Sequence, residues 1–302
     1  MTSQTITAAA SGTWQLGDLT VNRIGFGAMR LTQTGEAFAT DAAPSDRGRA
    51  ISVLRRAVEL GVNHIDTAAF YFSPLRSANV LINRALAPYP DDLVITTKVG
   101  PGRNPSGEWL PLATPKQLRG QVEENLRQLG RDHLDVVNLC VAGTDSIAER
   151  FGALAELRDA GLIRHLGLSN VRPEHLAEAQ AIAPVVCVQN QYGIGALPEY
   201  DEFLRSCGEQ GVAFVPFFAI AGAGRAAGAK GTDSEEVLAI ARANGSSAAQ
   251  VRLAWTLRRG PHVLAIPGTG NPDHLAANVA AGALRLSQDE LTRLEYLHQS
   301  GG

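Results

Sequence analysis

The chain is 302 residues long, 45% apolar and 19% charged, with 27 Lys and Arg against 30 Asp and Glu for a formal net charge of -3. Such a chain can bury a large core as one domain, and its near-balanced charge offers no general attraction for nucleic acid or an anionic membrane, so a small molecule is the expected partner. Three cysteines, Cys140, Cys187 and Cys207, show neither CxxC nor His/Cys ligand spacing, which argues against a disulfide framework and a bound metal and fits a reducing cytoplasm. No stretch approaches the roughly 20 apolar residues of a membrane-spanning helix.

Residues 1–11 read as a disordered N-terminus and 12–302 as a single domain. TWQLGDLTVNRI gives two short strands around Gly17-Asp18, a hairpin suited to plug the N-terminal mouth of a barrel. The main series of strands begins with NRIGFG at 22–27 and continues with HIDTAA at 64–69, LVITTK at 93–98, LDVVNLCV at 134–141 and HLGLS at 165–169. VVCVQ at 185–189, VAFVPFF at 212–218 and HVLAIPG at 262–268 complete it. Amphipathic segments alternate with these strands, some with explicit starts: Ser45-Asp46 precedes RGRAISVLRRAVELG, and Thr114-Pro115-Lys116-Gln117 joins a capping threonine to a first-turn proline. Eight strands alternating with helices, without a composition break, predict an α/β fold: a (β/α)8 TIM barrel whose bottom is plugged by the N-terminal β-hairpin.

A parallel barrel gathers its active groups where the strands end, because the βα loops open at that face. Asp66 ends the second strand, Tyr71 follows five residues later in the loop, and Lys98 ends the third, so adjacent strands can bring the three together. Parity agrees, since His64 and Asp66 share one face, as do Val94, Thr96 and Lys98. A phenol can protonate a carbonyl oxygen if its pKa, ordinarily near 10, is lowered; an ammonium does that, and a carboxylate keeps a buried lysine charged. Lys98 is therefore expected to depress the Tyr71 pKa, and Asp66 to hold Lys98.

GVNHIDTAAFY, TTKVG, GLSN and VQNQY stand in the order, and at spacings similar to those, of the aldo-keto reductase family, and the resemblance spans nearly the whole chain. More narrowly, NHIDT, PYPDDLVITTK, LDVVNL, VCVQN, FVPFF and IPGT together resemble the branch that contains bacterial pyridoxal reductases. The resemblance implies NAD(P)H-dependent reduction of an aldehyde or ketone, pyridoxal-like aldehydes included, with Tyr71 as proton donor and Lys98 and Asp66 as its partners. It puts Cys140 where the family's fourth catalytic residue, a histidine, stands; a thiol is a weak donor and cannot orient a carbonyl as an imidazole does. It further implies nicotinamide contacts from Ser169, Asn170 and Gln189, stacking by Phe217, pyrophosphate contacts at Gly222 and Gly224, and adenosine contacts from Thr269, His274 and Asn278. Many NADP-specific members carry lysine and arginine where this chain has Gly268 and His274; the phosphate clamp is weakened, and NADPH is the expected cofactor with NADH open.

Met29, Phe70, Phe72, Trp109 and Tyr192 are the expected pocket walls, Trp109 coming from the polar loop PGRNPSGEW. Strand alternation lets only one of Phe217 and Phe218 face the cavity, and Phe217 is the expected one. Two other readings stay open: Lys98 as a Schiff-base nucleophile, and a cofactor-binding sensor with little turnover, raised by the missing histidine.

Overall fold

In the computed structural model, which describes residues 6–220 and 233–300, part of the segment expected to lack structure is ordered. Ala8–Ser11 form a 3-10 turn with Ala8 and Ser11 buried. The Ala8 N–H donates to Leu60 O at 2.8 Å and the Ile24 N–H to Ser11 Oγ at 3.0 Å. For residues 8–11 the expected disorder is corrected accordingly: small residues that bury readily dock where helix and first strand leave backbone groups to satisfy.

The hairpin is β1 (Thr13–Leu16) and β2 (Leu19–Asn22), antiparallel across Gly17-Asp18. The main sheet has seven parallel strands: β3 (Phe26–Gly27), β4 (His64–Asp66), β7 (Val94–Val99), β8 (Leu134–Cys140), β9 (Ile163–Ser169), β10 (Val185–Gln189) and β11 (Ala213–Phe214). β5 (Phe72–Ser73) and β6 (Arg76–Ser77) form a small separate pair. The eighth expected strand forms isolated bridges in place of a ladder, and these close the ring, Phe214 pairing with Val263 and Ile24 with Ala265, both parallel. Leu264 N–H reaches Phe214 O at 2.9 Å, and Ala265 N–H reaches Arg23 O at 2.8 Å. The fold is therefore the (β/α)8 barrel. Leu16 and Val21 of the hairpin pack with Val94, Val136, Ala213 and Leu264 from the barrel, so the plug is built by the alternation that sends every second hairpin residue inward.

Among the described residues the α-helices are α1 (Arg47–Glu59), α2 (Ala78–Leu86), α3 (Pro115–Leu129), α4 (Ala148–Asp159), α5 (Pro173–Gln180), α6 (Pro198–Glu209), α7 (Glu235–Ala243), α8 (Ala248–Arg258), α9 (Pro272–Ala280) and α10 (Gln288–Gln299). Asp46 caps α1 by accepting the Arg49 N–H at 2.6 Å, and Gln117 accepts the Thr114 N–H at 2.9 Å at the head of α3. α2 and α10 go beyond the helices read from the sequence, yet each starts at a capping serine, Ser77 and Ser287. Among the described residues no helix is long and apolar enough to cross a membrane.

A buried polar ladder connects these helices to the strand ends. Thr67 Oγ1 donates to Asn79 Oδ1 at 2.7 Å, and Asn79 Nδ2 donates to Asn125 Oδ1 at 2.9 Å. Thr97 Oγ1 also donates to Asn125 Oδ1, at 2.6 Å. Thr67 follows Asp66 and Thr97 precedes Lys98, so α2 and α3 pin the backbone on which the two charged residues stand. Satisfied buried networks of this kind favour one arrangement because each broken bond strands a polar group.

Candidate active site

β4 and β7 pair with Asp66 opposite Thr96, which brings Asp66 and Lys98 to the same rim. Lys98 Nζ lies 2.6 Å from Asp66 Oδ1 and donates also to Thr67 O at 3.1 Å, both side chains being buried. The same ammonium is 4.8 Å from the centroid of the Tyr71 ring. The three residues expected to act together are thus brought together.

Their electrostatics bear out the lowering influence of Lys98 on Tyr71 but not a net lowering of its pKa. Burial pushes the Tyr71 phenol up to about 12, and Lys98 opposes this without reversing it, because the desolvation of an anion inside the barrel exceeds the attraction of an ammonium already engaged by Asp66. The resident form is the neutral phenol, which is the form that can give a proton. Burial pulls Lys98 toward the neutral amine, but Asp66 and Tyr71 together hold its ammonium above the usual lysine range. His64 is lowered to about 4 by burial, against the pull of Asp66; its Nε2 lies 3.1 Å from Thr96 Oγ1. Burial raises the Cys140 thiol, with Ser169 the first influence against it, so the sulfur is a weak nucleophile.

A cavity of about 600 Å³ opens over these groups. Its lining joins Asp66, Tyr71, Lys98 and Cys140 to Ser169, Asn170, Gln189 and Phe217, and to Met29, Phe70 and Trp109. Gln189 Nε2 donates to Asp66 Oδ2 at 2.9 Å, and its Oε1 accepts from Asn138 Nδ2 at 3.4 Å. Asn170 is left-handed, φ 59°, and donates through Nδ2 to Val141 O at 2.8 Å. Gly167, two residues before Ser169, has no room for a side chain: a Cβ there would sit 2.1 Å from Asn138 Oδ1 and 2.6 Å from Cys187 Sγ. This glycine lets the polar layer of β8, β9 and β10 close.

Other expected residues stand elsewhere. Phe72 is outside the cavity lining, its ring under the Arg103 guanidinium at 4.7 Å. Tyr192 is also corrected: it is buried, stacks on Trp255 with centroids 6.0 Å apart, and its hydroxyl donates to Asp201. Gln191 pairs with Phe217, and the alternation of backbone direction turns the next side chain away from the mouth. Thr269, His274 and Asn278 lie beyond Gly268 and off the cavity lining: Thr269 Oγ1 accepts the Asn271 N–H at 3.0 Å, His274 is exposed and Asn278 buried. Gly222 and Gly224 lie outside the described residues.

Phe218 lines the cavity together with Phe217, contrary to strict alternation, because its left-handed backbone, φ 62°, breaks the strand period. The sequence reading also misses Arg30, Phe38 and Arg103. Phe38 is left-handed, φ 66°, and its ring packs at 5.2 Å from Trp109 and 5.8 Å from Tyr71. Arg103 donates to the carbonyls of Gly107 at 2.8 Å, Phe72 at 2.8 Å and Phe38 at 3.2 Å. An arginine four residues from a glycine in a loop otherwise holding Trp109 was the available signal; Phe38 sits in a segment without period and gave none.

Residues 23–299 match the model of the aldo/keto reductase family. The chain is 43% identical over 293 residues to pyridoxine 4-dehydrogenase of Escherichia coli (strain K12), covering 95% of this chain and 98% of that protein. Among solved structures it is similar to the thermostable aldo-keto reductase Tm1743 in complex with the inhibitor epalrestat, with a TM-score of 0.78, 28% identity and coverage of 94% and 99% of the two chains. An aldo-keto reductase from Klebsiella pneumoniae in complex with NADPH gives a TM-score of 0.75 at 27% identity, covering 93% of this chain and 92% of that one. By sequence and by fold, the chain belongs to the aldo/keto reductase family and is an NAD(P)H-dependent oxidoreductase of carbonyl groups.

Proposed function

We propose that the chain reduces a pyridoxal-like aromatic aldehyde to its primary alcohol, using NADPH, with Tyr71 as proton donor. The observation that carries this reading is the neutral Tyr71 phenol beside the Lys98–Asp66 pair, at a cavity whose walls include Phe38, Phe70, Trp109, Phe217 and Phe218. Flat aromatic walls favour a flat acceptor by offset or edge contacts. The 43% identity to pyridoxine 4-dehydrogenase supports the same substrate class.

The donor set suits a nicotinamide dinucleotide. The Ser169 hydroxyl, the Asn170 Oδ1 and the Gln189 amide border the cavity beside Phe217, offering the donor and acceptors that a carboxamide needs and a face for a planar ring. Ser169, Asn170, Gln189 and Phe217 would hold a reduced nicotinamide there, and its chemistry would be supply of a hydride to the carbonyl carbon. Tyr71 gives its proton to the carbonyl oxygen, and the Lys98 ammonium stabilises the phenolate left behind until a proton returns from water. Asp66 keeps Lys98 charged through this cycle. A lysine so held is a poor Schiff-base nucleophile, which argues against the aldolase-like alternative.

Cys140, at the end of β8 opposite Ser169, is read as a residue that tunes how the carbonyl sits. Thr269, His274 and Asn278 are read as the adenosine side of the groove, with NADPH preferred over NADH on family grounds. A cytoplasmic setting accords with three free cysteines.

The test is a panel of pyridoxal, benzaldehydes and short aliphatic aldehydes with NADPH and NADH, following loss of reduced nicotinamide and identifying the alcohol chromatographically. Pyridoxal and related aromatic aldehydes should rank first. Absence of cofactor oxidation with every carbonyl would overturn the reading, and an aliphatic optimum would overturn its substrate class.

A further inference from the structure

We propose that Arg30 is an anion-recognition residue of the catalytic cavity, holding through its guanidinium a phosphate or carboxylate group of the bound ligand. Arg30 sits on the 3-10 turn Ala28–Leu31 that follows β3, and it lines the cavity with Gly27, Met29 and Gly268. Its Nη1 is buried without a hydrogen-bond partner, and the side chain forms no ion pair among the described residues. The other arginines with a buried unpartnered nitrogen are used elsewhere: Arg131 is 3.1 Å from Asp135, and Arg76 donates to Leu75 O at 2.8 Å. Arg103, the arginine that gathers the aromatic walls, is likewise satisfied by carbonyls. Arg30 stands apart from all of these.

The charge of the lining leads to the same place. Its described residues carry two cations, Lys98 and Arg30, and one carboxylate, Asp66. Asp66 is engaged at 2.6 Å by Lys98, so one positive charge is left over, and it belongs to Arg30. Arg30 as a residue is half-buried, but leaving its buried Nη1 without a partner is costly, and burial lowers the Arg30 pKa from its usual value. An arriving oxyanion removes that cost and meets a planar fork that binds phosphate or carboxylate in two parallel hydrogen bonds. The positions at which many NADP-specific members of the family carry lysine and arginine hold Gly268 and His274 here, so the cation at Arg30 has fewer beside it.

Two sources present such a group: a phosphate of the dinucleotide, and an anionic substituent on the aldehyde. The inference rests on the cavity being the one in which reduction takes place, but its first test reads binding alone. Arg30→Met removes the charge, and Arg30→Lys keeps the charge while losing the fork. Dissociation constants of NADPH and NADH are measured by quenching of protein fluorescence, at low and high salt, in both variants and the unaltered chain. KM is then compared for pyridoxal against pyridoxal 5′-phosphate, and for benzaldehyde against 4-carboxybenzaldehyde.

If the dinucleotide is the source, Arg30→Met weakens its binding by about 10- to 100-fold and flattens the salt dependence, with Arg30→Lys between the two. If the substrate is the source, cofactor binding is unchanged, and KM rises by a similar factor for the anionic aldehydes and not for their neutral counterparts. Either outcome supports the assignment. Changes below about twofold in every comparison, in variants that melt as the unaltered protein does, would overturn it. Should Arg30→Met not fold, Arg30→Lys alone decides by the same criteria. Failure of all carbonyl turnover in the unaltered chain would count against the proposed function and leave the cofactor titrations readable.

Discussion

Gln189 Nε2 binds the Asp66 carboxylate at 2.9 Å on Oδ2, the oxygen opposite the one that takes Lys98 at 2.6 Å. One carboxylate thus joins the lysine beside the proton donor to an amide on β10 that borders the proposed nicotinamide site. In Asp66→Asn, a single amide oxygen replaces two charged ones and Lys98 loses its counter-charge, so burial draws the lysine toward neutrality. We expect a loss of kcat of about 100-fold or more. Breaking the buried pair should also cost about 3–5 kcal/mol of stability, visible as a lowered melting temperature. Near-normal turnover in Asp66→Asn would show that the lysine acts without its carboxylate.

Tyr71→Phe removes only the proton donor. Reduction should fall by about 10²- to 10⁴-fold while NADPH binding, followed by fluorescence quenching, stays within about twofold. Wild-type turnover in this variant would refute the assignment.

Because burial pushes the Tyr71 phenol up to about 12, the acid form persists through the alkaline range. The sign follows from that direction: kcat/KM for reduction should show no loss attributable to Tyr71 ionisation between about pH 7 and 10. Lys98→Met withdraws the influence that lowers the phenol, so its ionisation should move further up and the rate should drop, since a weaker acid donates less readily. Ultraviolet titration of the tyrosinate band tests the shift, and a downward shift in Lys98→Met would contradict the coupling.

His64 supplies a test in the acid range. Its pKa is lowered from 6.5 to about 4 by burial, so between those values the folded chain binds fewer protons than the unfolded one. Stability from this group is complete above the unfolded value and declines as pH falls toward 4, by on the order of 3 kcal/mol at most. His64→Asn should flatten that decline in urea midpoints measured at about pH 7 and pH 5. An unchanged difference between the two pH values would mean that another group carries the acid sensitivity.

Rebuilding a phosphate clamp is constrained on one side. A Cβ at Gly268 would stand 2.5 Å from Gly27 O, so Gly268→Ala should lower stability by about 1–3 kcal/mol, and a lysine there should fare no better. His274 is exposed, and His274→Arg should be accommodated and strengthen NADPH relative to NADH. Parallel melting curves and cofactor titrations separate the two effects; an unaffected Gly268→Ala would show that the two loops can move apart.

The parts legible from sequence are those governed by period and by pairing. The eight strand positions, the hairpin plug and the meeting of Asp66, Tyr71 and Lys98 follow from side-chain alternation and from neighbouring strand ends. What alternation could not supply is the conformation of residues that leave the strands. Phe38 and Phe218 enter the cavity lining in left-handed conformations, and a non-glycine residue gives little local sign of that choice. Tyr192, just past the VQNQ strand end, is an expected wall residue, but Asp201, nine residues on in α6, and Trp255, distant in sequence, claim it. The height of the Tyr71 pKa was likewise hidden, since the presence of a lysine was readable and the depth of burial was not.

Arg103 gives the cavity a kind of inheritance. Its guanidinium holds carbonyls at Phe38, Phe72 and Gly107, and lies 5.3 Å from the Phe38 ring and 5.7 Å from that of Trp109. Three loops that leave different strands are therefore tied to one side chain, which couples the positions of Phe38 and Trp109. Selectivity in such a site is expected to change in jumps: a single replacement at 103 releases three loops together, whereas replacing one aromatic wall leaves those loop contacts in place.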